Sequence, residues 1–209
     1  VLMLLNAVYF QGTWKDIFDE RMTSEQDFTT ATGQVVRVRM MSRDGQYSVK
    51  ALDANMAARV LELPFGTDDR FSLFVFLPDE VDGLARLESY LDDRTLEDAM
   101  SVMPVPTRHD VSLPRFKLRQ KTSMKRILQA LGLSRIFTGQ AQLSRMSSSR
   151  LKVNEVKHEA VIEVDEKGAT AAAVTGVSVG IVSLPPQFRV DRPFLLVLRD
   201  KQARINLFL

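Results

Sequence analysis

Chemistry in this chain must come from two histidines, no cysteine and one long uncharged run. The run, Glu166 to Pro186, reads Glu-Lys-Gly-Ala-Thr-Ala-Ala-Ala-Val-Thr-Gly-Val-Ser-Val-Gly-Ile-Val-Ser-Leu-Pro-Pro, with no charge between Lys167 and Arg189. Its first part is small and smooth; its second carries Val177, Val179, Ile181 and Val182. An uncharged stretch of this length belongs in a core, yet Gly168, Gly176, Gly180 and Pro185-Pro186 suit an ordinary core strand poorly. A segment that fits both an exposed loop and a buried strand is a candidate for conformational chemistry. His158 lies on the apolar face of its strand, where a lone histidine is a hydrogen-bonded core residue, and His109 beside Asp110 reads as surface. Neither His109 beside Asp110 nor His158 beside Glu159 belongs to a nucleophile motif, which argues against a Ser/His/Asp enzyme. The missing cysteine excludes disulfides and thiol catalysis, and no spacing marks a metal or cofactor site.

The elements that must position this run are legible as strands and a few helices. The chain has 209 residues, 45% hydrophobic and 26% charged, the balance of a soluble globular domain. A net charge of +2 with scattered basic residues gives no nucleic-acid footprint, and Arg37 and Arg39 alternate as one solvated strand face. No run approaches the roughly 20 apolar residues of a membrane span. Val1 to Phe10 is apolar on both faces and reads as a central strand ended by Gln11-Gly12, with Trp14, the only tryptophan, just beyond. Val35 to Met41, Ala58 to Phe65 and Phe71 to Leu77 are strands, the last two joined by a hairpin loop at Gly66–Arg70. Leu84, Leu87, Leu91, Leu96 and Met100 have helical spacing. Val111 to Leu118 reads as one strand, and Thr122 or Ser123 as the cap of a helix stopped by Gly132. Leu151 to Glu166 is the cleanest strand, with Val156, His158, Ala160, Ile162 and Val164 on its apolar face. An apolar hairpin from Phe194 to Leu209 ends the chain. The class is α+β, a single domain without linker or repeat.

In matching order, these residues resemble the serpins. Asn6-Ala-Val-Tyr-Phe-Gln-Gly-Thr-Trp14 is similar to the third strand of that family's large sheet and the turn after it. Leu63-Pro-Phe, Phe76-Leu-Pro-Asp-Glu80 and Ser112-Leu-Pro-Arg-Phe116 resemble further landmarks. Val156-Lys-His-Glu-Ala160, then Asp165-Glu-Lys-Gly-Ala-Thr-Ala-Ala-Ala173, resembles the fifth strand and the reactive-loop hinge. Ser183-Leu-Pro-Pro and Arg192-Pro-Phe194 resemble the loop's exit. The resemblance implies a partial serpin fold: relatives are nearly twice as long, and both ends of this sequence look cut. A chain of residues 1–209 alone is then expected to aggregate or stay partly unfolded through its unpaired strand edge.

The resemblance further implies a suicide-substrate inhibitor of a serine protease, monomeric and secreted. The protease attacks one loop bond, and the freed hinge side inserts as a strand between Val1–Phe10 and Leu151–Glu166. The hinge would be Glu166, Gly168, Ala169, Thr170, Ala171, Ala172 and Ala173; Ala169 departs from the Thr or Ser usual in inhibitory relatives. In the inserted strand Ala169, Ala171, Ala173, Thr175, Val177, Val179 and Ile181 share the inward face, free of charge and proline. Counting back from the exit places the reactive bond at Val182–Ser183. A medium β-branched residue there suits an elastase-like pocket, with a chymotrypsin-like cut near Leu184 as the other register. Asn6 and His158 resemble the pair linking the two strands that must part. Trp14, Arg115 and Glu166 resemble the cluster where insertion begins, with Arg115–Glu166 as a latch. The other reading on this fold is a non-inhibitory carrier or chaperone, which would be expected to spoil the hinge with charge or bulk.

Overall fold

The computed structural model describes residues 2–147, 149–166 and 184–209. In chain order its regular elements are β1 (Leu2–Phe10), β2 (Ser24–Thr29), β3 (Val35–Ala51), β4 (Ala58–Phe65), β5 (Phe71–Pro78), α1 (Leu84–Tyr90), α2 (Asp93–Ser101), β6 (Thr107–Pro114), β7 (Phe116–Ser123), α3 (Lys125–Ala130), β8 (Val153–Val164), β9 (Gln187–Arg189), β10 (Leu195–Asp200) and β11 (Ile205–Phe208). Strands outnumber helices, as an α+β chain requires. They fall into two compact units, one of residues 1–11 and 116–164, the other of residues 12–115 and 165–209.

The first unit is a three-stranded sheet in the order β1-β8-β7. β8 is central, parallel to β1 and antiparallel to β7. Among the described residues β1 pairs with β8 alone, and Leu5 and Tyr9 are 73% and 54% exposed. The single strand expected from Val111 to Leu118 is two strands. It breaks at Pro114-Arg115, so that β6 joins the second unit's sheet and β7 the first unit's. The helix expected to start at Thr122 or Ser123 begins later, at Lys125, because ladder bonds to β8 hold Thr122 and Ser123 in β7. Gly132 ends that helical turn with φ +94°, a backbone region that glycine adopts without a side-chain penalty.

The second unit is an eight-stranded sheet in the order β11-β10-β5-β4-β3-β6-β9, with β2 also on β3. β3 is its spine: Met40–Tyr47 pairs with β6 and Ser48–Ala51 with β4. At Gly45 an added Cβ would lie 2.6 Å from Nη1 of Arg43, whose guanidinium folds back to the Tyr47 hydroxyl at 3.0 Å. The β4–β5 hairpin turns through Gly66 and Asp69, both at positive φ, at the expected loop. α1 and α2 lay Leu87, Leu96 and Met100 over Phe74, Phe76 and Val197 of the sheet. Each such side chain fully buried is worth about 2 kcal/mol of transfer free energy. Asp92 separates the helices: its carboxylate accepts the Thr95 N–H while the Thr95 hydroxyl accepts the Asp92 N–H. Among the described residues no helix is long and apolar enough to cross a membrane.

Candidate functional site at the origin of the uncharged segment

β8 ends at Val164, and the next two residues pass into the second unit. Trp14 anchors the first of them. Residues 13–15 lie along the end of the β4–β5 hairpin, with the Lys15 N–H on Pro64 O at 2.9 Å and the Gly66 N–H on Thr13 O at 2.7 Å. That places the Trp14 ring on Phe65, 4.3 Å between centroids and 16° from parallel, with Phe18 against its edge at 6.1 Å. The indole is 3% exposed, and its Nε1–H donates to Asp165 O at 2.8 Å.

Glu166, the next residue, has a side chain only 1% exposed. Its Oε2 lies 3.4 Å from Nη1 of Arg115 and its Oε1 lies 4.0 Å from Nη2 of Arg39. The two arginines are held side by side, because the Arg115 N–H donates to Arg39 O at 2.8 Å where β6 leaves β3. Burial pushes the Glu166 carboxyl up. Its own backbone N–H, the Thr23 hydroxyl and the Arg115 and Arg39 charges outweigh that and hold it below the ordinary glutamate range. Even so, among the described residues neither Glu166 Oε1 nor Thr23 Oγ1, both buried, makes a hydrogen bond of normal geometry. The site is therefore an anionic buried plug held by two half-exposed cations, with one carboxylate oxygen under-satisfied. Such an arrangement binds firmly in one position and is costly to leave half-formed.

The far end of the uncharged run is fixed differently. Leu184 is 94% exposed, and from Pro186 the backbone joins β6: the Asp110 N–H donates to Pro186 O at 3.0 Å, and β9 pairs in parallel with Asp110–Ser112. The Val190 N–H closes the pairing on Ser112 O at 2.9 Å. The origin is thus held at Arg115, just past β6, and the exit at Asp110 on β6, two positions separated by roughly 17 Å of extended chain. Nineteen residues lie between Glu166 and Pro186.

The remaining expected residues sort as follows. Gly168, Ala169, Thr170, Ala171, Ala172, Ala173, Val182 and Ser183 lie outside the described residues. Arg115 and Glu166 meet as an ion pair, and Trp14 bonds the residue just before Glu166. Asn6 and His158 are register partners in the β1–β8 ladder, with Thr122 of β7 across the same histidine. No side-chain hydrogen bond joins Asn6 to His158 among the described residues, so their link is the backbone register. His109 keeps its Nδ1 3.0 Å from Thr107 O. Two members of the cluster escaped the sequence reading. Arg39 was assigned to a solvated face, and it is 57% exposed while still reaching Glu166. Thr23 stands in a polar segment with no periodicity to mark it.

A family model described as serpin (serine protease inhibitor) matches residues 1–209. A serine protease inhibitor of Cyanea capillata is 37% identical over 210 residues, covering 99% of this chain and 55% of the relative. Antichymotrypsin-2 of Bombyx mori is 36% identical over 203 residues, covering 94% of this chain and 53% of the relative. Among solved structures, uncleaved ovalbumin superposes with a TM-score of 0.83 at 31% identity, over 98% of this chain and 52% of that one. The chain spans about half the length of the curated relatives it matches.

Proposed function

The chain belongs to the serpin family, and from that premise we propose that it forms the loop-bearing part of a suicide-substrate inhibitor of a serine protease. The observation that carries the reading is the mismatch between span and length at the uncharged run. The residues that hold its two ends, Arg115 at Glu166 and Asp110 at Pro186, are separated by roughly 17 Å of extended chain, while the nineteen residues between those ends could extend three to four times as far. β1 and β8, the strands the hinge would enter between, are direct hydrogen-bonded neighbours with no strand between them. The uncut state is then closed at the seam and long in the loop. Attack of the protease's serine at Val182 forms an acyl-enzyme and releases the segment C-terminal to it. The hinge from Glu166 through Ala173 can then enter the sheet with its small inward residues leading. The Glu166 plug marks where entry starts, and drawing the loop in carries the esterified protease away before water completes hydrolysis.

An elastase-like enzyme is the proposed target, since Val182 fills a shallow apolar pocket and no Arg or Lys stands between Lys167 and Arg189 to enter an acidic one. The second reading is a chymotrypsin-like target cut after Leu184. It is favoured by the 94% exposure of that residue and by the similarity to a relative named antichymotrypsin. Secretion and a monomeric state, implied by the resemblance, belong to the same proposal. The test is incubation of the protein carrying this chain with pancreatic-type elastase and with chymotrypsin, followed by denaturing gels and sequencing of the released peptide. A complex stable to SDS with a cut after Val182 supports the reading; cleavage there without any complex defeats it.

A further inference from the structure

β8 has a seam on each side, and the two seams are built from different chemistry. Toward β7 the strands run antiparallel over eight register pairs, from Phe116–Val164 to Ser123–Lys157. Alternate residues share a face, so Lys117, Arg119, Lys121 and Ser123 of β7 stand beside Glu155, Glu159 and Glu163 of β8. Lys117 Nζ reaches Glu163 Oε2 at 2.8 Å. Arg119, opposite Val161, crosses diagonally to Glu159, which also takes Lys121 at 3.6 Å. Ser123, opposite Lys157, donates diagonally to Glu155 Oε1 at 2.6 Å. Toward β1 nothing equivalent can form. β1 has no charged residue, and the carboxylates find Met3 opposite Glu155 and Ala7 opposite Glu159. That pairing is parallel, the slightly weaker arrangement per residue, and its register shifts between Leu2 and Met3.

We propose that the β7–β8 charge ladder decides which seam of this sheet opens. Lys117, Arg119 and Lys121 with Glu159 and Glu163 hold β7 and β8 as one piece, so an entering strand parts β8 from β1. These are positioning residues, acting through β8 on a strand they do not touch. Single exposed ion pairs count for little, but two cations sharing one carboxylate across a fixed register form a network. The bond to Arg119 holds the Glu159 carboxyl low, and the bond to Glu163 raises the Lys117 ammonium. The consequence for inhibition rests on the loop-insertion reading above, whereas the asymmetry of the two seams belongs to the uncut protein.

Two measurements on the full protein separate these. Amide hydrogen exchange on the uncleaved form should show β7–β8 better protected than β1–β8. In Glu159→Gln/Glu163→Gln that difference should shrink, with β7–β8 amides exchanging about tenfold faster. Molar salt should shrink it in the wild type and leave the double variant unmoved, since exposed pairs are screened. Titration with the target protease should then consume more inhibitor per complex in the double variant. Lys117→Glu should disturb the ladder in the same way, and Lys117→Glu combined with Glu163→Lys should restore it, a rescue that general loss of folding cannot imitate. Equal protection of the two seams in the wild type, or unchanged β7–β8 protection in the double variant, overturns the ladder. Failure of the wild type to form any covalent complex overturns the inhibitor reading instead and leaves the exchange result to decide the ladder alone.

Discussion

The Trp14 indole donates its N–H to the backbone carbonyl of Asp165 at 2.8 Å, one residue before the buried Glu166. Backbone and side chain are therefore pinned at neighbouring positions where β8 gives way to the uncharged segment. Trp14→Phe keeps a ring to stack on Phe65 but removes the donor, and should cost about 1–2 kcal/mol in denaturant unfolding. Trp14→Ala also loses the packing and should cost about 3–5 kcal/mol. Equal losses in the two variants would show that the hydrogen bond contributes nothing.

Glu166→Gln preserves the shape of the plug and removes the charge facing Arg115 and Arg39. Stability at neutral pH should fall by about 1–3 kcal/mol. Arg115→Met should cost at least as much, because it leaves the buried carboxylate charged with only the more distant Arg39 facing it.

The same carboxylate gives a pH signature. Its pKa is lowered in the folded chain relative to 4.5. The stabilisation is thus fully present above 4.5 and is lost as pH falls through the lowered value. Thermal melts of the wild type should drop more steeply on acidification below that point than melts of Glu166→Gln, and parallel curves would dismiss the linkage.

Ala171→Glu puts a charge on the face of the hinge proposed to turn inward. Burying it unpaired costs several kcal/mol, so insertion should stall after cleavage. The variant should be cut by the target protease at an unchanged rate and yield cleaved product without SDS-stable complex. Its melting temperature should not rise on cleavage, whereas that of the wild type should.

Val182→Arg presents a guanidinium where the proposed target takes a medium apolar side chain. Inhibition should pass from elastase to a trypsin-like enzyme with a carboxylate in its primary pocket. Retained elastase inhibition with a cut elsewhere in the loop would relocate the reactive bond.

β4, β5, β8 and the β10–β11 hairpin were legible because their residues alternate or run apolar between clear turns, as Leu73–Leu77 and Val156–Val164 do. The second half of β3 was not. Arg43-Asp44-Gly45-Gln46 carries turn chemistry, and only its pairing with Arg108–Val111 of β6 keeps it extended. Pro114 was hidden inside a continuing alternation that suits two different sheets equally well. At the candidate site the motif residues Trp14, Arg115 and Glu166 were found by resemblance. Arg39 and Thr23 join them through tertiary approach alone, which leaves no spacing to detect.

The chain holds a single tryptophan, and it is the one bonded to Asp165. Its fluorescence is therefore a built-in optical gauge of the point where the uncharged segment begins. Stacked on Phe65 and almost sealed from water, the indole emits from an apolar setting until Asp165 moves. With any tryptophan outside these 209 residues replaced by phenylalanine and the protease's own emission subtracted, a stopped-flow trace would time that movement separately from the chemistry at the scissile bond.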